Sequence, residues 1–224
     1  MKKIIGIAVA LLMTTGLFAK TWTNNIGVGF TVPITMVEAK KDIFPDGDSL
    51  SAKRTFTSYG VQGMYLGYHE NGFTVKGAFD LTFGSWEKAY EDSDGWQDVV
   101  NICLSETLGV GYSFVHSDSV VLAATAGIGL SSAIAPYKYT VITAEHDVTL
   151  TSTTFNLGAD LTGIIRTSPK FGFYGSIYVG WIPFGTAKIE DKVEIGNTST
   201  TNTDSWDLKG NMFIAPTIGV VWTF

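Results

Sequence analysis

From Ile26 onward the chain repeats one pattern, with large apolar residues at alternate positions and small or polar residues between them. Ile26, Val28, Phe30, Val32 and Ile34 alternate with Gly27, Gly29, Thr31, Pro33 and Thr35. A period of two belongs to a β-strand whose two faces meet different surroundings, because successive side chains point to opposite sides. The pattern returns at Phe73, Val75, Gly77, Phe79, Leu81 and Phe83, at Leu104, Leu108, Val110, Tyr112 and Phe114, and at Leu122, Ala124, Ala126, Ile128 and Leu130. It returns again at Phe155, Leu157, Ala159 and Leu161, at Phe171, Phe173, Ile177, Val179 and Trp181, and at Met212, Ile214, Ile218, Val220, Trp222 and Phe224. A weaker segment over 55–67, with Tyr59, Val61 and Tyr65 on one face, brings the strand count to eight.

The predicted connections alternate in length. Short ones fall at 69–72, 116–119 and 166–170, and long ones at 38–54, 87–98, 136–147 and 185–204. Tight turns at one end and long loops at the other describe an up-and-down meander, the plan of a bacterial outer-membrane barrel. The larger side chains of each ribbon require an apolar surround, and a closed sheet is the all-β way to cross hydrocarbon with every backbone group paired. An open sheet of eight strands would leave edges. The sequence therefore predicts an all-β fold, an eight-stranded antiparallel up-and-down transmembrane β-barrel.

Charge is distributed to match. The four long loops hold 15 acidic and 8 basic residues, although charged residues make up only 16% of the chain. Within the strands, Lys76, Asp80 and Asp160 all fall on the small-residue face that would line a lumen. Glu106 breaks the rule by sharing parity with Leu104 and Leu108, and is expected at the membrane interface or beside a β-bulge. A net charge of -6 argues against a nucleic-acid partner, since phosphate binding needs clustered Lys and Arg. The abundance of aromatics, 14 Phe, 9 Tyr and 6 Trp, excludes a disordered chain.

The N-terminus reads as an export signal. Met1-Lys2-Lys3 supplies a basic start, 4–17 an apolar stretch and Leu17-Phe18-Ala19 a cleavage site. Residues 1–19 are thus a signal peptide and 20–224 the barrel. The destination is the outer membrane of a diderm bacterium, with membrane lipid as the surround. Cys103 is the only cysteine, which forbids an internal disulfide and reads as a small strand residue.

The last strand ends in the stripe Val220, Trp222 and Phe224. Here the chain resembles small bacterial outer-membrane barrels of the OmpW and OmpX type, and the spirochaetal small-barrel family of uncharacterised function. The resemblance implies that Val220, Trp222 and Phe224 form an assembly signal read by the barrel-assembly machinery. It carries over no functional residues.

An eight-stranded barrel is nearly filled by its own side chains, so general porin activity is not expected. Lys76, Asp80 and Asp160, together with Tyr174 and Tyr178, are expected to form a lumen-lining polar network, the tyrosines filling space opposite Gly109, Gly111, Gly127 and Gly129. His146, beside Glu145 and Asp147, is the one candidate general base and lacks an identifiable nucleophile. Asp92-Ser93-Asp94-Gly95 begins like a calcium loop but has Gln97 and Cys103 where an EF-hand needs Gly and a carboxylate. The sequence calls for no enzyme activity, cofactor or metal. It is read as a monomeric barrel with a structural role or as a route for a small, apolar solute; the alternative is a surface adhesin binding a host ligand through its long loops.

Overall fold

A computed structural model describes residues 22–38, 53–92, 95–141, 144–196, 198–208 and 210–224. The proposed signal peptide lies outside the described residues. The strands are β1 (Trp22–Thr31), β2 (Ile34–Glu38), β3 (Lys53–His69), β4 (Phe73–Asp92), β5 (Gly95–His116), β6 (Val120–Val141), β7 (Ala144–Ser168), β8 (Phe171–Ile195), β9 (Thr198–Asp207) and β10 (Asn211–Thr223). β1 and β2 share one place in the wall, interrupted at Val32-Pro33, where proline has no N–H to give the ladder. β9 and β10 likewise share one place, so the wall has the eight strands expected.

Each of the eight places in the wall pairs antiparallel with the next, and the ring closes where β10 meets β1 and β2. That seam runs from Asn25↔Thr223 to Thr31↔Thr217 and continues at Ile34↔Ile214 and Met36↔Met212. The three described tight connections lie at one end. In the first, Gly72 adopts φ +90°, a conformation that glycine takes without a Cβ clash.

The faces are as the alternation requires. Ile26, Val28, Phe30, Val61, Leu108, Ile128, Leu161, Ile177 and Ile218 all stand exposed on the outside. Aromatic residues gather towards both ends of this apolar band. Trp222, Phe224, Phe73 and Tyr112 lie towards the tight turns, and Phe30, Tyr59, Phe83, Trp181 and Phe184 lie at the opposite rim. Such a surface would be unstable in water, and it matches the girdled band of a membrane barrel.

Three of the expected long loops are not loops. β4 and β5 extend through 87–98 to meet at Asp92↔Gly95, β6 and β7 run to Val141↔Ala144, and β8 and β9 run to Ile195↔Thr198. β7 and β8 have 25 residues each, whereas about 9–11 suffice to cross a bilayer. The wall therefore continues well beyond the apolar band. Local sequence explains this: Tyr137, Tyr139, His146, Val148 and Leu150 keep alternating, and the Thr-rich run of β9 is β-branched and favours strand. Of the fourth expected loop, 39–52 lies outside the described residues, while Val37↔Arg54 and Glu38↔Lys53 pair at its base.

Glu106 departs from expectation. The outward pairs between β4 and β5 run Phe83↔Ile102, Leu81↔Leu104, Phe79↔Glu106, Gly77↔Leu108, Val75↔Val110 and Phe73↔Tyr112. Glu106 thus lies within the apolar band, and the ladders are uninterrupted at its position; the β5–β6 irregularity falls between Ser113 and Val115 instead. A one-residue slip to hide this carboxylate would turn Leu104 and Leu108 inward as well. The apolar majority sets the register.

Two substitutions test this arrangement by urea titration in phosphatidylcholine vesicles. Ile177→Arg, on the outer face of β8, is expected to destabilise the barrel by about 2–4 kcal/mol, the cost of a cation at the bilayer midplane. Glu106→Leu is expected to stabilise it, on the order of 1 kcal/mol, by removing a carboxylate from the apolar band. No effect of either would mean that this face does not meet lipid.

Candidate functional site

The lumen changes character from one end to the other. At the tight-turn end Arg166 is held by five acceptors. Its Nε donates to Thr223 Oγ1 (3.0 Å), Nη1 to the carbonyls of Ser117 (3.0 Å) and Asp118 (3.3 Å), and Nη2 to Asn25 Oδ1 (3.2 Å) and Tyr68 Oη (2.9 Å). Asn25 in turn donates through Nδ2 to the Leu66 carbonyl at 2.9 Å. Above this lies a buried apolar layer of Met64, Leu66, Tyr68, Val121, Ala123, Ile164, Tyr174 and Val221. Together they fill that half of the barrel. Sequence patterning alone places Arg166 in a turn. Its parity with Asp160, Thr162 and Ile164 is the signal that points it inward.

Next comes a polar layer that holds Lys76, Asp80, Asp160, Tyr174 and Tyr178 together with Gln62, Asn156 and Thr162. Lys76 reaches across the lumen from β4 to β7, with Nζ 2.7 Å from Asp160 Oδ1, and donates to Thr162 Oγ1 at 2.8 Å. Thr162 Oγ1 itself donates to Asp160 Oδ1. Asp80 is not bonded to Lys76. Its Oδ1 accepts from Gln62 Nε2 at 2.9 Å, and Gln62 Oε1 accepts from Tyr174 Oη at 3.4 Å. Tyr178 Oη donates to Asn156 Oδ1 at 2.5 Å. Gln62, Asn156 and Thr162 do not stand out in the sequence, because uncharged polar residues on a lumen face carry no distinctive spacing.

The tyrosines fill space over glycines, but not the four expected. A Cβ at Gly27, Gly29 or Gly219 would collide with Tyr174, and one at Gly158 with Tyr178. Gly111 and Gly127 instead bring neighbouring strands together, since a Cβ there would strike the backbone of β6 and β5 respectively.

Beyond the polar layer the lumen opens into a cavity of about 240 Å³. Lys76, Asp80 and Asp160 lie at its base. One side is lined by Thr82, Ser105, Thr107, Thr125 and Ser131, and the other by Ile182, Ala187, Leu208, Phe213 and Ala215. Cys103 lies in this wall, its Sγ 3.6 Å from Ser105 Oγ. The cavity is therefore a blind cup, polar and acidic at its base and along β4–β6, apolar along β8–β10. The described residues contain no cluster of three or more His, Cys, Asp or Glu able to hold a metal.

On the wall extension, His146 does not use its sequence neighbours. Its Nδ1 lies 3.0 Å from Asp191 Oδ2, and its ring stacks on Tyr139 at 4.4 Å between centroids. Asp147 pairs with Lys138 at 2.8 Å. Asp191 thus orients the imidazole as a general base would need, but no hydroxyl or thiol among the described residues is bonded to it.

No protein-family model matches the sequence, and no curated protein does. Solved structures do match. The outer membrane protein OprG from Pseudomonas aeruginosa aligns with a TM-score of 0.59 at 12% identity, covering 92% of this chain and 97% of that one. A major outer membrane protein from Thermus thermophilus aligns with a TM-score of 0.57 at 11% identity, covering 88% of this chain and 99% of that one. The likeness is one of fold, and the fold is that of the small eight-stranded outer-membrane β-barrels.

The Lys76–Asp160 pair should be structurally important. Lys76→Ala leaves a buried carboxylate without its cation and is expected to cost about 3–5 kcal/mol, whereas Lys76→Met combined with Asp160→Leu should recover most of that loss. Urea titration of the refolded barrels measures both. Equal loss in the single and double variants would show that packing, not charge pairing, holds the two walls together.

Proposed function

We propose that the chain is a monomeric outer-membrane protein that admits a small, largely apolar solute from the outer side into the cup, without forming an open aqueous channel. The observation that carries this reading is the asymmetry of the lumen, a cavity above a filled half. The apolar outer band supports placement in a lipid membrane, and the stripe Val220, Trp222 and Phe224, with Trp222 and Phe224 exposed towards lipid, is consistent with docking on the barrel-assembly machinery. The reading is non-enzymatic, with no cofactor.

A solute in the cup has no path through the base, so onward passage would be sideways through the wall. Thr154 and Leu208 border both the cup and an outer recess formed by Phe155, Phe184, Gly185 and Asp207. At the same height Asn156 faces two residues of β8, Ile182 and Pro183, across an irregularity in the ladder. The bulge leaves one residue of β8 out of the ladder there, and Pro183 has no N–H to give it.

One observation favours the second reading, attachment to a host surface. β9 stands on the wall extension with an exposed, hydroxyl-rich face, and among the described residues it is paired only to β8. An unpaired strand edge is a surface for adding another strand.

Cys103, as the single thiol, gives a direct test. A membrane-impermeant, permanently charged reagent, trimethylammonioethyl methanethiosulfonate, added to the outer side of the folded barrel in vesicles is expected to modify Cys103, and the same reagent confined to the tight-turn side is not. Planar-bilayer recordings of the same protein are expected to show no steady open-state current. A sustained ohmic conductance, or labelling only from the turn side, would overturn the cup reading.

A further inference from the structure

The base of the cup does not balance its charges. Two carboxylates, Asp80 and Asp160, face a single ammonium, Lys76. Lys76 is committed to Asp160 and Thr162 on the far wall. Asp80 has one hydrogen-bond donor, Gln62, and that bond goes to Oδ1; among the described residues no donor reaches Oδ2. Asp80 is only 9% exposed, and it lines the cavity. A carboxylate this deeply buried needs a partner, and the space where a partner would stand is the cup.

We propose that the cup binds small organic ammonium ions, with Asp80 as counter-charge to the head group and the β8–β10 wall packing on the hydrocarbon body. The proposal rests on the cup being a solute site and names the chemistry of the solute. An ammonium has three donors, which suit Asp80 Oδ2 and the neighbouring hydroxyls of Thr82 and Ser105; Ser105 is the direct cross-strand partner of Asp80. Ile182, Ala187, Phe213 and Ala215 offer a bare inorganic cation nothing to replace its water shell, but they suit an alkyl or alicyclic body. An anion of the same shape would meet net negative charge at the base.

Protection of Cys103 reads occupancy directly, because that thiol lies in the same wall two positions from Ser105. The refolded full-length barrel in phosphatidylcholine vesicles is treated with methyl methanethiosulfonate in the presence of cyclohexylammonium, cyclohexanol, cyclohexanecarboxylate or potassium chloride. Cyclohexylammonium is expected to protect at about a tenfold lower concentration than cyclohexanol, the usual strength of one charge-assisted hydrogen bond. Cyclohexanecarboxylate and potassium should protect least. In Asp80→Asn the advantage of the ammonium over cyclohexanol is expected to vanish.

If cyclohexanol and cyclohexylammonium protect equally, if the advantage survives Asp80→Asn, or if potassium protects as well as the amine, the ammonium assignment falls while the solute cup stands. If Cys103 reacts at one rate whatever is added, the cup takes no solute and both readings fall. Should Asp80→Asn not refold, the four-probe comparison on the unaltered chain decides by itself.

Discussion

Hydrocarbon offers no water to an unpaired backbone group, and this constraint governs the rest of the molecule. Each N–H and C=O within the band must find a partner in the wall, so the sheet has to close. The seam between β1 and β10 is where closure is made. It survives the break at Val32-Pro33 because Val32 N–H donates to the Pro216 carbonyl at 3.0 Å, while on the β3 side Ser58 N–H donates to the Pro33 carbonyl at 2.9 Å. At the tight-turn end, Asn24 and Phe224 exchange N–H···O bonds of 3.2 and 3.0 Å. Phe224 thus has a role in the folded barrel beyond its place in the apolar stripe, since its backbone completes the ring.

Closure fixes the circumference, and everything inside must fit it. Polar side chains that would be expensive outside are gathered within, where they tie opposite walls together. Lys76 joins β4 to β7, and Arg166 joins β7 to β1, β3, β10 and the connection before β6. These links run across the lumen, perpendicular to the ladder, and resist flattening of the barrel in a way that ladder bonds alone do not. A buried ion pair is weak evidence for net stability. Its effect here is on shape, because either partner left alone would be a charge without a counter-charge.

The fold was legible because lipid enforces alternation on every strand at once. Residues such as Ile128, Leu161 and Ile177 could face only outward, and the turn lengths then ordered the strands. What sequence hid was anything set by neighbours across the barrel. Lys76, Asp80 and Asp160 share the lumen face, but their parity could not show that Lys76 reaches Asp160 and Thr162 on β7 while Asp80 is bonded by Gln62. The tyrosines were matched to the wrong glycines for the same reason, as strand spacing says nothing about which opposite wall a ring will meet. The loops were misjudged because Thr, Lys and Glu in 185–204 look solvated. They are solvated, but on a strand that no longer needs an apolar face once it leaves the membrane.

The cup itself follows from side-chain size in a tube of fixed width. Near the tight turns the inward positions carry Met64, Leu66, Tyr68, Ile164, Tyr174 and Arg166, and the tube is filled. Further along they carry Ala78, Gly109, Gly127, Ala133, Ala187 and Ala215, and it is not. The shift in β8 at Pro183 contributes, because the extra residue returns the small Ala187 to the inside where continued alternation would have placed Lys188. Interiors are normally close-packed, and an unfilled cavity forfeits the dispersion contacts that its lining would otherwise make. A gradient from large to small residues along one axis, ending above a single uncompensated carboxylate, leaves those contacts to be made by an occupant.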